Sequence, residues 1–371
     1  MTTTDRAPES CELRDDPALL ESMLADAKNA PALYHPGPYW AAKTANTVNE
    51  IKRCGISGFR GSANLIGFSY ADNLLLDVRD AYNHGLRRLG RWLTRTYPLK
   101  RIYDAQVRWT ENYAQQSIAY LQENLSLKRA TRDLLGRYKV PYSLLGECSA
   151  KVQLDGKTYA VHYLNLLERH HHLALRIDFA SAVSLLEIGG GFGADIHLLL
   201  ENYPNIRKVL YLDVPPTLYV GTQYLKAFYG SAVHDYRSLR RRESLQWQDS
   251  GELEILCIAP WQLEKFVGAI DILVNSNSFV EMPRAVVQNY SDRFAGLPGS
   301  GGAAIALSTY DRTDPDSLLD PGELPGFFKG RTFEHFAVAS LADTSHQDLI
   351  FVSPGKLAVV SPEKRPAIAI P

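Results

Sequence analysis

The sequence predicts an α/β chain in which a Rossmann-like parallel sheet, closed by a C-terminal antiparallel hairpin, follows a mainly helical N-terminal domain. Three observations carry that expectation. An apolar strand at Val183 to Ile188 runs into three adjacent glycines and then into helical periodicity from Ala194 to Tyr203. Beyond it strands and helices alternate through "KVLYLD", "PTLYVGTQYLKAFYG", "LEILCIAP", "AIDILVNSN", "RAVVQNYSDRFAGL" and "GAAIALSTY", the rhythm of a parallel sheet with helices on both faces. At the end, "DLIFVSPGKLAVVSP" sets two short β-rich runs on either side of Pro354-Gly355, which reads as an antiparallel hairpin.

The elements follow in order. From Ala18 to about Tyr138 the pattern is helical, with amphipathic stretches "NLLLDVRDAYNHGLRRLGRWLTRTY" and "NYAQQSIAYLQENLSLKRATRDLLGRY". "AKVQLDGKTYAV" then alternates around Asp155-Gly156, a hairpin signal. A helix from about Tyr163 to Arg176 leads to the glycine strand. The expected division is a helical domain over 1–178 and a sheet domain over 179–371.

Composition narrows the function classes. The chain has 371 residues, 45% of them apolar and 22% charged, enough for two domains with cores of their own. A formal net charge of -1 offers no electrostatic case for nucleic acid or an anionic membrane as partner. The polar N-terminus "MTTTDRAPESCELRDDP" lacks the basic and apolar regions of a secretion signal, and no apolar run nears the roughly 20 residues of a membrane span. A cytoplasmic location is expected. Cys11, Cys54, Cys148 and Cys257 show no metal-ligand spacing and fit reduced thiols.

"LLEIGGGFG" at Leu185 to Gly193 exposes backbone amides at a helix N-terminus, so its ligand is nucleotide-like. Two ligands fit. Gly189, Gly191 and Ala194 satisfy a degenerate G-x-G-x-x-A pattern, and Asp213 follows Gly191 by 22 residues, as an acid for ribose hydroxyls does in a dinucleotide site. Against that, the glycine run sits mid-chain behind a helical domain, Glu187 precedes the first glycine by two positions, and a hairpin closes the sheet. Those features resemble the S-adenosylmethionine-dependent methyltransferase superfamily.

Three motifs sharpen the likeness. "LLEIGGGFG", "LYLDVPPTL" and "DILVNSNSFVEM" resemble the bacterial sugar O-methyltransferase family. So does the leader "PYWAAKTANTVNEIKRCGISGFRG" with "IGFSYAD", which extends the resemblance from about Pro38 onward. It implies a Rossmann-like methyltransferase sheet, S-adenosylmethionine as cofactor and methyl transfer to a hydroxyl of a sugar or glycosylated natural product. The partner is then a small-molecule acceptor. The helical domain would serve as an acceptor lid or in dimerisation, which leaves a homodimer open.

Under that reading Gly189, Gly191 and Gly193 let the loop close over the methionine part of the cofactor, and Glu187 holds its amino group directly or through water. Asp213 accepts the ribose hydroxyls, its bland reading being a helix cap. Trp261 covers the adenine or is plain core, Gln262 bonds the adenine edge, and Asn275 joins the cofactor set from the next strand end.

Chemistry is expected at "NSNSFVEM", where Asn275, Ser276, Asn277, Ser278 and Glu281 cluster. An alcohol is a poor nucleophile, so transfer needs in-line placement and a base. Glu281 is the first candidate, with Asn277 beside it. In plant-type small-molecule O-methyltransferases a His-Asp pair follows this strand; here Val280 and Glu281 occupy those positions. The bland alternative is a first-turn carboxylate favoured by the helix dipole.

His335 and His346, expected in C-terminal loops near the acceptor, are the other base candidates. His170, His171 and His172 are adjacent on one helix and so cannot form an i, i+4 metal pair; a solvated or interface face is expected. His197 is expected to be packed or solvent-facing. No metal ligand is assigned. Asp311, Asp314 and Asp316 leave magnesium open as an orienting ion. The other functions kept open are an NAD-dependent oxidoreductase and a methyltransferase-like enzyme with another acceptor or a cyclase-type activity.

Overall fold

A computed structural model describes residues 11–60, 129–142, 144–148, 150–299, 302–310, 318–328, 334–339, 346–353 and 356. Most of the two long amphipathic stretches and all of Asp311, Asp314 and Asp316 lie outside the described residues. Two compact units emerge, one from Met1–Asp15 and Asn49–Leu166, the other from Asp16–Val48 and Leu167–Pro371. The sequence boundary near residue 178 therefore differs from the observed division, because the early segment 16–48 packs within the sheet-bearing unit.

In order along the chain, α1 spans Pro17–Ala27, α2 Pro38–Cys54, α3 Arg129–Arg137 and α4 Val161–Ala174. In the first unit, β1 (Lys151–Leu154) and β2 (Lys157–Ala160) form the expected hairpin. Asp155 and Gly156 both take positive φ, 49° and 81°, as a two-residue primed turn requires. Val152 and Leu154 alternate inward onto Ala150, Val161 and Leu164.

The second unit is built on a sheet of β3 (Ser184–Ile188), β4 (Lys208–Leu212), β5 (Val233–His234), β6 (Glu254–Ile258), β7 (Ile272–Ser276), β8 (Ala304–Tyr310), β9 (Glu334–Ala339) and β10 (His346–Val352). Their spatial order is β5-β6-β4-β3-β7-β8-β10-β9. The first six are parallel; β10 runs antiparallel to β8, and β9 antiparallel to β10. The interleaved helices are α5 (Ala194–Asn202), α6 (Pro215–Tyr229), α7 (Tyr236–Leu239), α8 (Arg284–Ala295) and α9 (Leu324–Phe327). Burial on both faces explains why β3, β4 and β6 are buried along their whole lengths and read as largely apolar runs, broken at Ser184, Glu187, Lys208 and Glu254.

This is the expected α/β architecture with an antiparallel C-terminal pair, Glu334–Ala339 with His346–Val352. The first of the two expected runs forms β10, which pairs with β8 on one edge and β9 on the other; Pro354-Gly355 and the second expected run lie outside the described residues, apart from Lys356.

The segment 16–48 is fastened to this unit. Asp16 caps α1 by accepting from the Leu19 N–H at 3.0 Å, and its own N–H donates to Tyr219 Oη at 2.8 Å. Asp26 accepts from Tyr236 Oη and Arg240 Nη2, each at 2.7 Å. Arg237 pairs with Asp16. Among the described residues no helix is long and apolar enough to cross a membrane, and the four cysteines are free.

Candidate functional site

In the order above, β3 is where the chain first turns to one side and later returns on the other, so the carboxyl ends of β3, β4 and β7 border the crevice where open α/β sheets bind ligands. Gly189, Gly191 and Gly193 all have positive φ, at 70°, 59° and 86°. Gly189 admits no side chain for a second reason: a Cβ there would lie 2.1 Å from Ser278 Oγ. Gly193 is the N-cap of α5, which turns the loop amides toward the crevice.

Glu187 is the unusual residue. It is 1% exposed, and among the described residues neither carboxylate oxygen has a hydrogen-bond partner. Burial pushes its pKa well above the ordinary carboxylate range, with the charge of Asp195 adding and that of Arg169 opposing. A Cβ on Gly190 would fall 2.5 Å from Glu187 Cδ, so that glycine keeps room over the carboxyl group. A buried acid of this kind is costly unless a donor meets it.

Asp213, just past the end of β4, accepts from the Gly191 N–H at 3.0 Å and the Val214 N–H at 2.7 Å. Burial lifts its pKa to about 8 against the pull of those two bonds, and the charge of Glu281 adds to the rise. Asp213 is not the cap of α6, whose N-cap is Val214 without a side-chain bond. Gln262 is buried; its Oε1 accepts from the Ala259 N–H at 2.9 Å, while Nε2 has no partner among the described residues. Trp261 is half-buried against the main core, and its Nε1 donates to Tyr236 Oη at 3.3 Å.

The loop after β7 divides by role. Asn275 is fully buried and its amide is spent inside the protein: Nδ2 donates to Ile188 O at 2.7 Å and Ser278 Oγ at 2.6 Å, and Oδ1 accepts from the Phe279 N–H at 3.1 Å. It locks the ends of β3 and β7 together. Asn277 has φ 68° and a buried Oδ1 with no partner among the described residues. Glu281 accepts from Trp40 Nε1 at 2.6 Å and Tyr310 Oη at 3.0 Å. It does not cap α8, which begins at Arg284 behind Pro283.

The histidines separate. His346 begins β10 opposite Tyr310, whereas His335 lies opposite Phe351 near the start of β9. Both belong to strands and not loops. His335 is about five strand residues from the crevice end, roughly 16 Å at ~3.3 Å per residue, so the register removes it from the base candidates. His170 is a core residue and not a solvated one: it meets Tyr203 Oη at 2.9 Å, packs on Phe179, and burial lowers its pKa to about 4. His197 is buried with Nδ1 3.0 Å from Tyr224 Oη. Among the described residues no group of three or more His, Cys, Asp or Glu is placed to hold a metal.

Four neighbours of the site carry no sequence signal: Trp40, Arg169, Tyr310 and Asp348. Arg169 was hidden beside three histidines in "ERHHHLAL". The others are brought in from remote parts of the chain, which no local spacing reveals.

Neither a protein-family model nor a curated protein sequence matches the chain. Among solved structures, it is similar to mitomycin 7-O-methyltransferase MmcR over 52% of this chain and 56% of that one, at 14% identity and a TM-score of 0.35. For the pyocyanin biosynthetic protein PhzM the shares are 62% and 69%, at 14% identity and a TM-score of 0.34. For human N-acetylserotonin methyltransferase in complex with SAM they are 51% and 55%, at 12% and 0.32. This chain thus spans little more than half the length of the first and third of these structures. Likenesses this faint assign no activity.

Proposed function

We propose that the chain is an S-adenosylmethionine-dependent O-methyltransferase acting on a hydroxyl of a small-molecule acceptor, with a sugar or glycosylated natural product as the expected class. The observation that carries this reading is the buried, unpartnered Glu187 carboxyl beside the glycine loop. It calls for a cationic donor, and the cofactor's ammonium is one. A dinucleotide fits less well. Its pyrophosphate is anionic, and Glu187 together with Asp195 in the first turn of α5 would repel it.

The remaining groups suit the same ligand. Asp213 presents a carboxylate for ribose hydroxyls, Gln262 Nε2 an unfilled donor for the adenine edge, and Trp261 an aromatic flank. When bound, the cofactor supplies an electrophilic methyl on a sulfonium. Glu281 takes the proton of the acceptor hydroxyl, its two carboxylate oxygens being oriented by the Trp40 and Tyr310 donors. Those two aromatic rings around a carboxylate also suit a sugar, which offers flat apolar faces and several hydroxyls.

S-Adenosylhomocysteine at concentrations well above its Kd should raise the melting temperature of the protein by linkage, and NAD should not. A clear shift with NAD, alongside none with S-adenosylmethionine or S-adenosylhomocysteine, would assign the glycine loop to a dinucleotide and end this reading.

A further inference from the structure

The strand that leads to Asp213 carries a second polar side chain aimed at the glycine loop. Tyr211 stands two residues before Asp213 on β4, the spacing that puts side chains on one face of a strand. It is fully buried, and its Oη donates to the Gly191 carbonyl at 2.5 Å. The Thr217 carbonyl, at 3.4 Å, is the more distant acceptor. Asp213 accepts from the Gly191 N–H at 3.0 Å. Both backbone polar groups of Gly191 are thus filled by side chains from the end of one strand. Burial, with the charge of Asp213 adding to it, pushes the Tyr211 pKa well above the ordinary phenol range, so the hydroxyl keeps its proton and remains the donor.

An independent observation comes from α6. Gly221 lies in the interior of that helix, where glycine is the poorest residue after proline. A Cβ there would fall 2.1 Å from Tyr211 Oη and 2.6 Å from Tyr211 Cζ. The helix therefore lacks a side chain at the position where the hydroxyl enters. One turn further on, a Cβ on Gly193 would lie 3.0 Å from Leu225 Cγ, so the same face of α6 also backs the end of the loop. An apolar side chain could fill the buried strand position as well as a phenol does. Packing alone does not explain a hydroxyl aimed at a loop carbonyl and a helix hollowed to admit it.

We infer that Tyr211 and Gly221 are positioning residues for the cofactor loop: Tyr211 holds the Gly191 carbonyl, Gly221 makes room for the hydroxyl that does so, and with Asp213 they keep the loop in its binding shape before the ligand arrives. The ligand in this statement rests on the cofactor proposed above, whereas the hold on the loop does not depend on which ligand binds. Neither residue touches the ligand; each acts through Gly191.

The test compares the full chain as wild type, Tyr211→Phe and Gly221→Ala. Amide hydrogen exchange of residues 189–193 reads the loop, with β3 and β4 as internal references, and titration calorimetry with S-adenosylhomocysteine reads binding. Tyr211→Phe keeps the ring and loses the hydroxyl. It should speed exchange in the loop while leaving β3 and β4 unchanged, and weaken binding about fivefold, the scale of one neutral hydrogen bond. Saturating S-adenosylhomocysteine should restore the loop's protection, because the ligand then supplies the missing hold. Gly221→Ala should show the same local signature, since its methyl group displaces the hydroxyl. Unchanged loop exchange and Kd in Tyr211→Phe overturn the inference, and so does exchange that rises equally through the sheet, which would make Tyr211 a packing residue only. Should Gly221→Ala fail to fold by circular dichroism, Tyr211→Phe decides alone. Failure of the cofactor reading looks different: the wild-type protein would bind no S-adenosylhomocysteine, while loop exchange would still separate Tyr211→Phe from wild type.

Discussion

Replacing Asp213 by alanine is expected to weaken S-adenosylhomocysteine binding by about a hundredfold or more. Two charge-assisted hydrogen bonds to ribose hydroxyls would be lost, each worth about 1.5–3 kcal/mol at most, and about 1.4 kcal/mol is tenfold in Kd. The structure adds a second, smaller consequence. Asp213 also accepts from the Gly191 and Val214 amides, so the variant should melt somewhat lower even without ligand. Asp213→Asn separates the two effects, since it keeps an acceptor for the loop while removing the charge. Calorimetric titration of both variants is the check. An unchanged Kd in Asp213→Ala with a lowered melting temperature would reduce Asp213 to a brace for the glycine loop.

Glu281→Gln should leave cofactor affinity near normal while turnover falls on the order of a hundredfold or more, the usual scale for loss of a general base. The amide preserves shape and one carbonyl oxygen for the Trp40 and Tyr310 donors that now meet Glu281 Oε2 and Oε1, so a large effect reports chemistry and not collapse. Steady-state kinetics with an accepted sugar-containing substrate gives the answer. Retention of most turnover would shift the base to His346, which begins β10 opposite Tyr310. Normal turnover with a raised KM would make Glu281 a hydroxyl-positioning group.

The contrast between these two carboxylates shows what the sequence reveals. Glu187, the three glycines and Asp213 could be singled out as candidates because a strand, a tight loop and the next strand's end put them within one short stretch, and the structure shows the backbone demand at Gly189 that leaves few residue choices. The central strands were legible for a related reason, since burial on both faces makes them largely apolar. The two-residue β5 was not, because Val233–His234 is too short to show any period. In the C-terminal pair, β10 was legible as an apolar run, but its partner β9 was not, because that pairing is long-range and leaves no local signal.

The surroundings of Glu281 and Arg169 lay beyond sequence reading altogether. Trp40 is 241 residues from Glu281, and Asp348 is 179 from Arg169, so only the folded sheet brings them together. Asn275 gave a partial answer. Its position at the strand end was expected, but its amide turns inward to join β3 to β7, and no pattern of residue types distinguishes that use from ligand contact. His335 fails for the complementary reason, since its distance from the crevice is a matter of strand register.

The central claim is that Glu187 and Asp213 meet a cofactor whose ammonium and ribose hydroxyls stabilise their ionised forms. Both groups have raised pKa values in the folded protein, Asp213 at about 8. The folded chain thus holds protons that the unfolded chain releases above the ordinary carboxylate range near 4; the contribution of Asp213 to stability declines as pH rises from there toward 8, and that of Glu187 declines in the same direction. A ligand that needs the ionised forms acts in the opposite sense: binding releases protons and strengthens as pH rises. The decisive measurement is calorimetric titration of S-adenosylhomocysteine at about pH 6 and about pH 8, each in two buffers of different ionisation enthalpy. The account predicts tighter binding at the higher pH, with net proton release at the lower one. Affinity that does not change with pH and no proton release, or no binding at either pH, would contradict it.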